Sequence, residues 1–264
     1  MSNRIRRIAL FTKRNNEESR KVSQLLGEKL AEQGISVIDF KKDYDLHQPE
    51  LNSDVDLAIA IGGDGTTIKT FRTLPPSIPV LCINAGGTRG ILSEVSKDSV
   101  DSIVDPLLKS QYFLDRRIRI VAQIGDEITV PVLNDYVIMR SDLTKTPLFY
   151  LSVNDDGYSQ KMDGMIVSTP TGSTGHSLSN GGPILQEHLD CMLITSIGSV
   201  NRLPSFVLPL IGISANHDLK LIMDGQLVKE IQENQPIKIT KYRYDAVFLR
   251  FNKNDTRQMN KLGF

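Results

Sequence analysis

Leu57-Ala58-Ile59-Ala60-Ile61-Gly62-Gly63-Asp64-Gly65-Thr66 is the stretch that decides the fold. Five apolar residues in a row describe a strand buried on both faces, as in a parallel sheet. The strand ends in a turn whose glycines, Gly62, Gly63 and Gly65, let the backbone take φ > 0 and approach a phosphate closely. One carboxylate, Asp64, stands at its tip. Thr66 opens an expected helix over 67–74, whose N-terminal dipole favours an anion. A side chain at the carboxyl end of such a strand faces the crevice where open α/β sheets bind ligands. The plain alternative is a tight strand-to-helix turn with Asp64 as its cap.

Outward from this stretch, strands and helices alternate. Ile8-Ala9-Leu10-Phe11 reads as a strand and 16–33 as a helix. Val22, Leu25, Leu26, Leu30 and Ala31 are expected on its apolar face, with Gly34 as its stop. Val37-Ile38 belongs to a second strand, Val80-Leu81-Cys82-Ile83-Asn84 to a fourth, and 99–109 to another helix. Alternation of this kind implies right-handed crossovers and a mainly parallel sheet. Near Asp115 the pattern becomes period-two: Ile118, Ile120 and Ala122, then Ile128, Val130 and Val132, then Phe149, Leu151 and Val153. Gly125-Asp126 and Asp155-Asp156-Gly157 read as turns, and a helix over 173–178 is embedded among the strands. The expected organisation is an α/β domain over 1–113, a β-rich domain over 114–251 and a tail over 252–264 returning to the first domain. A ligand is expected in the inter-domain cleft.

Composition narrows the functional classes. The chain has 264 residues, 40% of them apolar, enough for a real core in one or two domains. Lys+Arg and Asp+Glu both number 31. That balance argues against nucleic-acid binding by bulk electrostatics. No run of roughly 18 apolar residues spans a membrane, and the opening Met1-Ser2-Asn3-Arg4-Ile5-Arg6-Arg7 lacks the apolar region of a signal peptide. Cys82 and Cys191 lie in or beside apolar runs and read as reduced thiols of a cytoplasmic protein. His188 and Cys191 alone do not make a zinc site, and no metal site is expected.

Two further segments carry chemistry. Asn84-Ala85-Gly86-Gly87-Thr88-Arg89-Gly90 is a second glycine cluster directly after a strand. With Gly62, Gly63, Gly65 and Thr66 it would line a wide floor for a polyphosphate. Neither G-x-x-x-x-G-K-[ST] nor G-x-G-x-x-G occurs, so this is no P-loop or dinucleotide fingerprint. The third segment runs Asp163-Gly164-Met165-Ile166-Val167-Ser168-Thr169-Pro170-Thr171-Gly172-Ser173-Thr174-Gly175-His176-Ser177-Leu178-Ser179-Asn180-Gly181-Gly182-Pro183. An apolar strand enters a run of hydroxyls and glycines, and hydroxyls with free N–H groups at a helix start suit phosphate, ribose and base edges.

The G-G-D-G loop, an Asn-acid pair and the D-G-x-x-x-S-T-P-T-G-S-T segment with its glycine pair occur here in order, and together they resemble the NAD kinase family. The likeness runs from the first strand to the closing Lys261-Leu262-Gly263-Phe264. It implies transfer of a terminal phosphoryl group from ATP or polyphosphate to the 2′-hydroxyl of the adenosine ribose of NAD, making NADP. By this resemblance Asp64 is the base and, with Gly65, lines the substrate site. Asn134 and Asp135 match the pair that holds the adenosine portion, and Asp163 matches the acid at the nicotinamide-ribose end. Lys161 stands where the family often has Arg. Thr174, Gly175, His176, Ser177, Leu178 and Ser179 match the segment packed around the dinucleotide, and Lys145 and Gln226 fall at further nucleotide contacts. The resemblance also implies Mg²⁺ or another divalent cation carried with the donor, and a homodimer or homotetramer.

Three departures from the family pattern stand out. Asp135 replaces Glu and loses a methylene of reach, Gly175-His176 replaces Ala-Tyr, and Lys161 would meet phosphate as a point charge. Two rival readings share parts of the pattern. A lipid kinase of the diacylglycerol or sphingosine type also uses G-G-D-G-T, and a non-catalytic NAD(P)-binding regulator could share the scaffold.

Overall fold

A computed structural model describes residues 5–13, 15–40, 54–86, 90–154 and 156–263. Gly87, Thr88 and Arg89 of the second glycine cluster, Met1 to Arg4 of the opening segment, Asp155 and Phe264 lie outside the described residues. The chain divides into two units, residues 1–116 with 246–264, and residues 117–245.

The first unit is built from β1 (Arg7–Thr12), α1 (Glu17–Glu32), β2 (Ser36–Phe40), β3 (Leu57–Gly62), α2 (Asp64–Thr73), β4 (Val80–Asn84), β5 (Val95–Ser96), α3 (Val104–Leu108) and β6 (Phe113–Arg117). A closing strand, Ala246–Arg250, lies between β4 and β6, giving the order β2-β1-β3-β4-closing strand-β6, with β5 beside β4. The pairings β1–β2, β1–β3, β3–β4, β4–β5 and β4 to the closing strand are all parallel. Ile8, Leu10, Leu57, Ile59, Ile61, Leu81 and Ile83 share one core with Val22, Leu26 and Leu30 of α1. On α2, Phe71 meets Phe248 of the closing strand, ring centroids 4.6 Å apart. The β3 run is buried throughout, as its unbroken apolar reading requires.

Local chemistry explains where the helices start and stop, and where expectation fails. Asn16 caps α1 by accepting from the Ser19 N–H at 2.8 Å. Gly34, at φ +73°, and Ile35 return their N–H groups to Ala31 and Leu30, the paired closure of a left-handed C-terminus. Leu25 is 43% exposed, and Ala31 is exposed as well. At about 100° per residue they lie to either side of the stripe centred on Leu26. Helix α2 begins at Asp64 itself, three residues before the expected start, with Gly63 as its N-cap. The expected helix over 99–109 is a 3₁₀ segment, Lys97–Ser102, followed by α3. Pro106 has no N–H for the Ser102 carbonyl and its ring would collide with it, so one continuous helix cannot form.

The second unit holds β7 (Ile120–Ile124), β8 (Glu127–Ile128), β9 (Asp135–Arg140), β10 (Leu148–Val153), β11 (Asp156–Lys161), β12 (Gly164–Ser168), α4 (His176–Ser179), β13 (Met192–Ile197), β14 (Phe206–Leu208), β15 (Leu210–Ala215), β16 (Leu219–Met223), β17 (Leu227–Ile231) and β18 (Ile237–Lys241). They form two antiparallel six-stranded sheets, β11-β10-β15-β18-β7-β8 and β14-β13-β12-β9-β16-β17. The sheets share one core that includes Ile120, Ala122, Phe149, Leu151, Ile138, Met165, Val167 and Ile194. The embedded helix is reduced to a 3₁₀ turn, Gly172–Thr174, and the single turn α4, divided at Gly175. This unit ends at Asp245, short of the expected boundary at Phe251. Ala246, Val247, Phe248 and Leu249 are buried on both faces and suit a parallel sheet better than a period-two one.

The chain ends with α5 (Arg257–Leu262), also in the first unit. Arg250, 2% exposed, donates to Asp115 (3.2 Å), to the Leu92 carbonyl (2.9 Å) and to Glu94 (3.5 Å). Arg257 meets Glu94 at 2.7 Å, and the other Glu94 oxygen accepts from the Phe251 and Asn252 N–H groups. Two guanidiniums and two carboxylates are thus buried as a neutral set. Removing one member leaves buried charge uncompensated, so Arg250→Ala is expected to cost about 3–5 kcal/mol. Chemical denaturation of both proteins checks this, and a loss under about 1 kcal/mol would show the cluster to be dispensable.

Candidate functional site

Asp64 is half-buried in the first turn of α2, where the helix dipole favours its charge. Its carboxylate does not project freely. Oδ1 accepts the Leu92 N–H at 3.0 Å and Oδ2 accepts the Ile91 N–H at 3.1 Å. These amides follow Gly90, the last residue of the second glycine cluster, so one side chain ties the two glycine turns together. Gly62 is fixed by close approach, since a Cβ there would overlap the Thr66 side chain. Gly90, at φ +54°, presses on Asn84 and Ser93 in the same way. Gly63 is half-buried and Gly65 exposed beside Asp64. Sequence reasoning found the carboxylate but missed its two amide partners, because residues 91 and 92 carry no signature.

In the second unit Asn134, Asp135 and the segment that follows Ser168 meet at one end of the β12–β9–β16 sheet. Ser168 is in register with Asp135, and Met223 with Tyr136. Just beyond Met223, Asp224 holds φ +51°, a backbone state that Asp tolerates better than most residues. Its carboxylate accepts three successive main-chain N–H groups, from Leu133 (3.1 Å), Asn134 (2.7 Å) and Asp135 (3.3 Å). Sequence reasoning missed Asp224 and chose its neighbour Gln226, which is exposed. The Asp224-Gly225 pair was the available signal, but it reads only as a turn.

Asp135 is 5% exposed. Burial, and then the nearby Asp224 carboxylate, push its carboxyl up to about 7. It is therefore largely an acid below neutrality, and can donate a hydrogen bond where a carboxylate could only accept. Two buried polar atoms nearby, Asn134 Oδ1 and Ser168 Oγ, have no hydrogen-bond partner among the described residues. Buried polar atoms are normally satisfied, and such exceptions point to a missing ligand or water.

The hydroxyl segment behaves differently from its reading. Thr169 donates to the Leu133 carbonyl, Ser173 to the Pro170 carbonyl, and Ser177 pairs with Thr195 at 2.8 Å. Thr174 bonds the Thr171 carbonyl at 3.4 Å. These buried hydroxyls hold the loop, while Gly175, His176 and Ser179 are exposed and Leu178 half-buried. Gly172 lets the loop lie on Asn134, whose backbone a Cβ would overlap.

Asp163 sits at the opposite end of β12, about 16 Å from Ser168 at some 3.3 Å per residue. Arg140 pairs with it at 3.2 Å and also donates to the Lys145 carbonyl. Gly198, at φ +57°, leaves room for its carboxylate. Lys161 and Lys145 are exposed, and Lys145 lies 3.7 Å from Asp142. The Cys82 thiol is pushed up to about 12 by burial and is inert. No three carboxylate, imidazole or thiol groups converge as a metal site among the described residues.

Comparison with known proteins places this geometry in context. Residues 8–112 match the ATP-NAD kinase N-terminal domain and residues 133–251 the ATP-NAD kinase C-terminal domain. The NAD kinase of Methanosphaera stadtmanae is 32% identical over 271 residues, covering 96% of this chain and 98% of that one. An NAD kinase from Archaeoglobus fulgidus, solved in complex with ATP, superposes with a TM-score of 0.77 at 25% identity, over 97% of this chain and 96% of that one. A yeast NADH kinase complexed with NADH shares the fold, with a TM-score of 0.85 at 22% identity over 100% of this chain and 89% of that one.

The raised Asp135 carboxyl offers a pH test of this end of the sheet. Its carboxyl is raised in the folded protein, so its contribution to stability is fully present below about pH 4 and is lost as pH rises toward about 7. Asp135→Asn cannot titrate, and its stability should decline less than wild type between pH 4 and 7, by at least about 1 kcal/mol. Denaturant unfolding across that range checks this; parallel curves would mean that Asp135 ionises normally.

Proposed function

This chain belongs to the NAD kinase family, and from that premise we infer that it is a phosphotransferase making NADP from NAD with ATP as donor. The proton acceptor we assign is Asp64. The 2′-oxygen of the adenosine ribose attacks the terminal phosphorus, its proton passes to the Asp64 carboxylate, and the bond from phosphorus to the bridging oxygen breaks, releasing ADP. The observation that carries this role is a lone carboxylate held by two main-chain amides at the head of α2. A positioned carboxylate contributes roughly 10²–10⁴-fold to such a step.

For the second unit we propose dinucleotide recognition. Asn134 Oδ1 and Ser168 Oγ are buried and have no partner among the described residues, and Asp135 can present a proton, so this end supplies acceptors and a donor to the adenosine portion. Asp163, oriented by Arg140, is assigned to the nicotinamide-ribose end. Lys145, Lys161, His176 and Gln226 are exposed enough to reach a bound nucleotide. A divalent cation would neutralise charge on the moving phosphoryl group. We assign it to the donor's own phosphates, because Asp64 already accepts two amides and no carboxylate cage converges among the described residues. Polyphosphate as an alternative donor, a cytoplasmic location and a homodimer or homotetramer complete the proposal. The rival readings as a lipid kinase or a binding-only regulator draw no support from the comparisons.

The decisive assay incubates the protein with Mg²⁺, NAD and ATP, then with polyphosphate, and measures NADP. Asp64→Asn should lower kcat roughly 10²-fold or more while NAD affinity changes far less. The amide also turns an N–H toward one of the two backbone donors, so the thermal midpoint is measured alongside. Full activity in Asp64→Asn removes the base assignment. Asn134→Ala and Asp163→Ala should each weaken NAD binding by about 1–3 kcal/mol with little effect on ATP. Equal losses for both substrates would make these residues structural.

A further inference from the structure

The helix α5 brings one more cation to the Asp64 side of the first unit, and neither the fold nor the proposed chemistry yet uses it. Arg257 and Lys261 are four residues apart and so share a face of the helix. Their situations differ sharply. Arg257 is spent on Glu94 at 2.7 Å, inside the neutral cluster completed by Arg250 and Asp115. Lys261 makes no ion pair among the described residues. Its ammonium donates to the hydroxyl of Ser93 at 3.2 Å, and that hydroxyl is neutral and buried. Lys261 as a whole is exposed.

Ser93 ties this cation to the active turn. Its hydroxyl donates to the Gly90 carbonyl at 2.6 Å, and the two residues between them, Ile91 and Leu92, supply the amides that hold Asp64. The ammonium therefore rests on the loop that joins the second glycine cluster to the base. Partial burial, with the charges of Arg257 and Arg250, draws its proton affinity below that of a free lysine, while Glu94 and Asp64 pull it back. A lysine in that position has no ion-pair partner among the described residues and stands beside a site that must accept several negative charges.

We propose that Lys261 is a binding residue for the phosphates of the phosphoryl donor, reaching them from α5 across the turn at 90–93. The proposal rests on the phosphotransferase reading above. A compact ammonium with three donors, one of them used by Ser93, suits a point contact to phosphate oxygen. The neutral cluster beneath it explains why the charge is available: Glu94, the nearest buried carboxylate of that cluster, is already matched by two guanidiniums.

The test uses the full chain with inorganic tripolyphosphate and Mg-ATP as probes. Calorimetric titration of tripolyphosphate reads the phosphate contact without turnover, and steady-state kinetics read KM for ATP and NAD separately. Lys261→Met should weaken tripolyphosphate binding and raise the ATP KM about tenfold each, equivalent to about 1.4 kcal/mol. The NAD KM should stay within about twofold, and Lys261→Arg should recover most of the loss. Unchanged tripolyphosphate affinity in Lys261→Met overturns the proposal, including the case where the ATP KM alone rises. A fall in kcat with both KM values unchanged also overturns it, because Lys261 would then act through Ser93 on Asp64. A thermal midpoint lowered in Lys261→Met but not in Lys261→Arg, without a tripolyphosphate effect, assigns the residue to loop packing and overturns it too. If wild type forms no NADP from any donor, the phosphotransferase reading fails by itself, while the tripolyphosphate titration still decides the role of Lys261.

Discussion

The bond pair from Ile91 and Leu92 to Asp64 is the contact that ties the two glycine turns of the first unit together. A carboxylate that accepts two main-chain amides is oriented by backbone, with less freedom than one held only by packing. Its position at the start of α2 adds the favourable field of the helix N-terminus. The donating turn needs support of its own, because its amides point at a charge and its carbonyls must be satisfied elsewhere. Arg250 takes the Leu92 carbonyl and Ser93 takes that of Gly90. The last strand and α5 return to the first unit to complete this support, bringing Arg250 and Arg257 to Glu94 and Asp115.

The second unit uses the same device for a different end. Asp224 also collects successive amides, three of them, but it fixes the backbone of Asn134 and Asp135 rather than standing as a reactive group. Burial, and then the Asp224 carboxylate beside it, push the Asp135 carboxyl up to about 7. The short Asp135 side chain keeps its acid close to the backbone that Asp224 organises.

Much of this was legible along the chain. The buried β3 run, the glycines that permit close approach and the period-two strands after Asp115 depend on local pattern, and each gave the right element. The failures were those where a residue's role is set by something distant. Leu25 looked like a core residue because it is apolar, but its angle around α1 turns it to solvent. The closing strand reads like any other strand until its pairing with β4 is seen. Asp224 finds Asn134 only through the pairing of β16 with β9, which no local signature announces. In the hydroxyl-rich segment Thr169, Ser173 and Ser177 turn to the loop and its neighbours, because residue type does not say whether an oxygen faces the loop or a ligand.

That inward use of hydroxyls sharpens what the remaining polar atoms can do. With Thr169, Ser173 and Ser177 committed to the loop, Asn134 Oδ1 and Ser168 Oγ are left as buried groups without partners among the described residues. A buried polar group left unsatisfied costs about 1–3 kcal/mol. A ligand that supplies matching hydrogen bonds recovers that penalty, and one of similar shape that cannot supply them does not. Discrimination at such a site follows from the unmet groups more than from the total contact area. At about 1.4 kcal/mol for each tenfold step, even one such group separates matching from mismatched ligands severalfold or more. Thr169, Ser173 and Ser177, already committed to loop carbonyls and to Thr195, are not available to satisfy those atoms, so the penalty falls on the ligand that cannot.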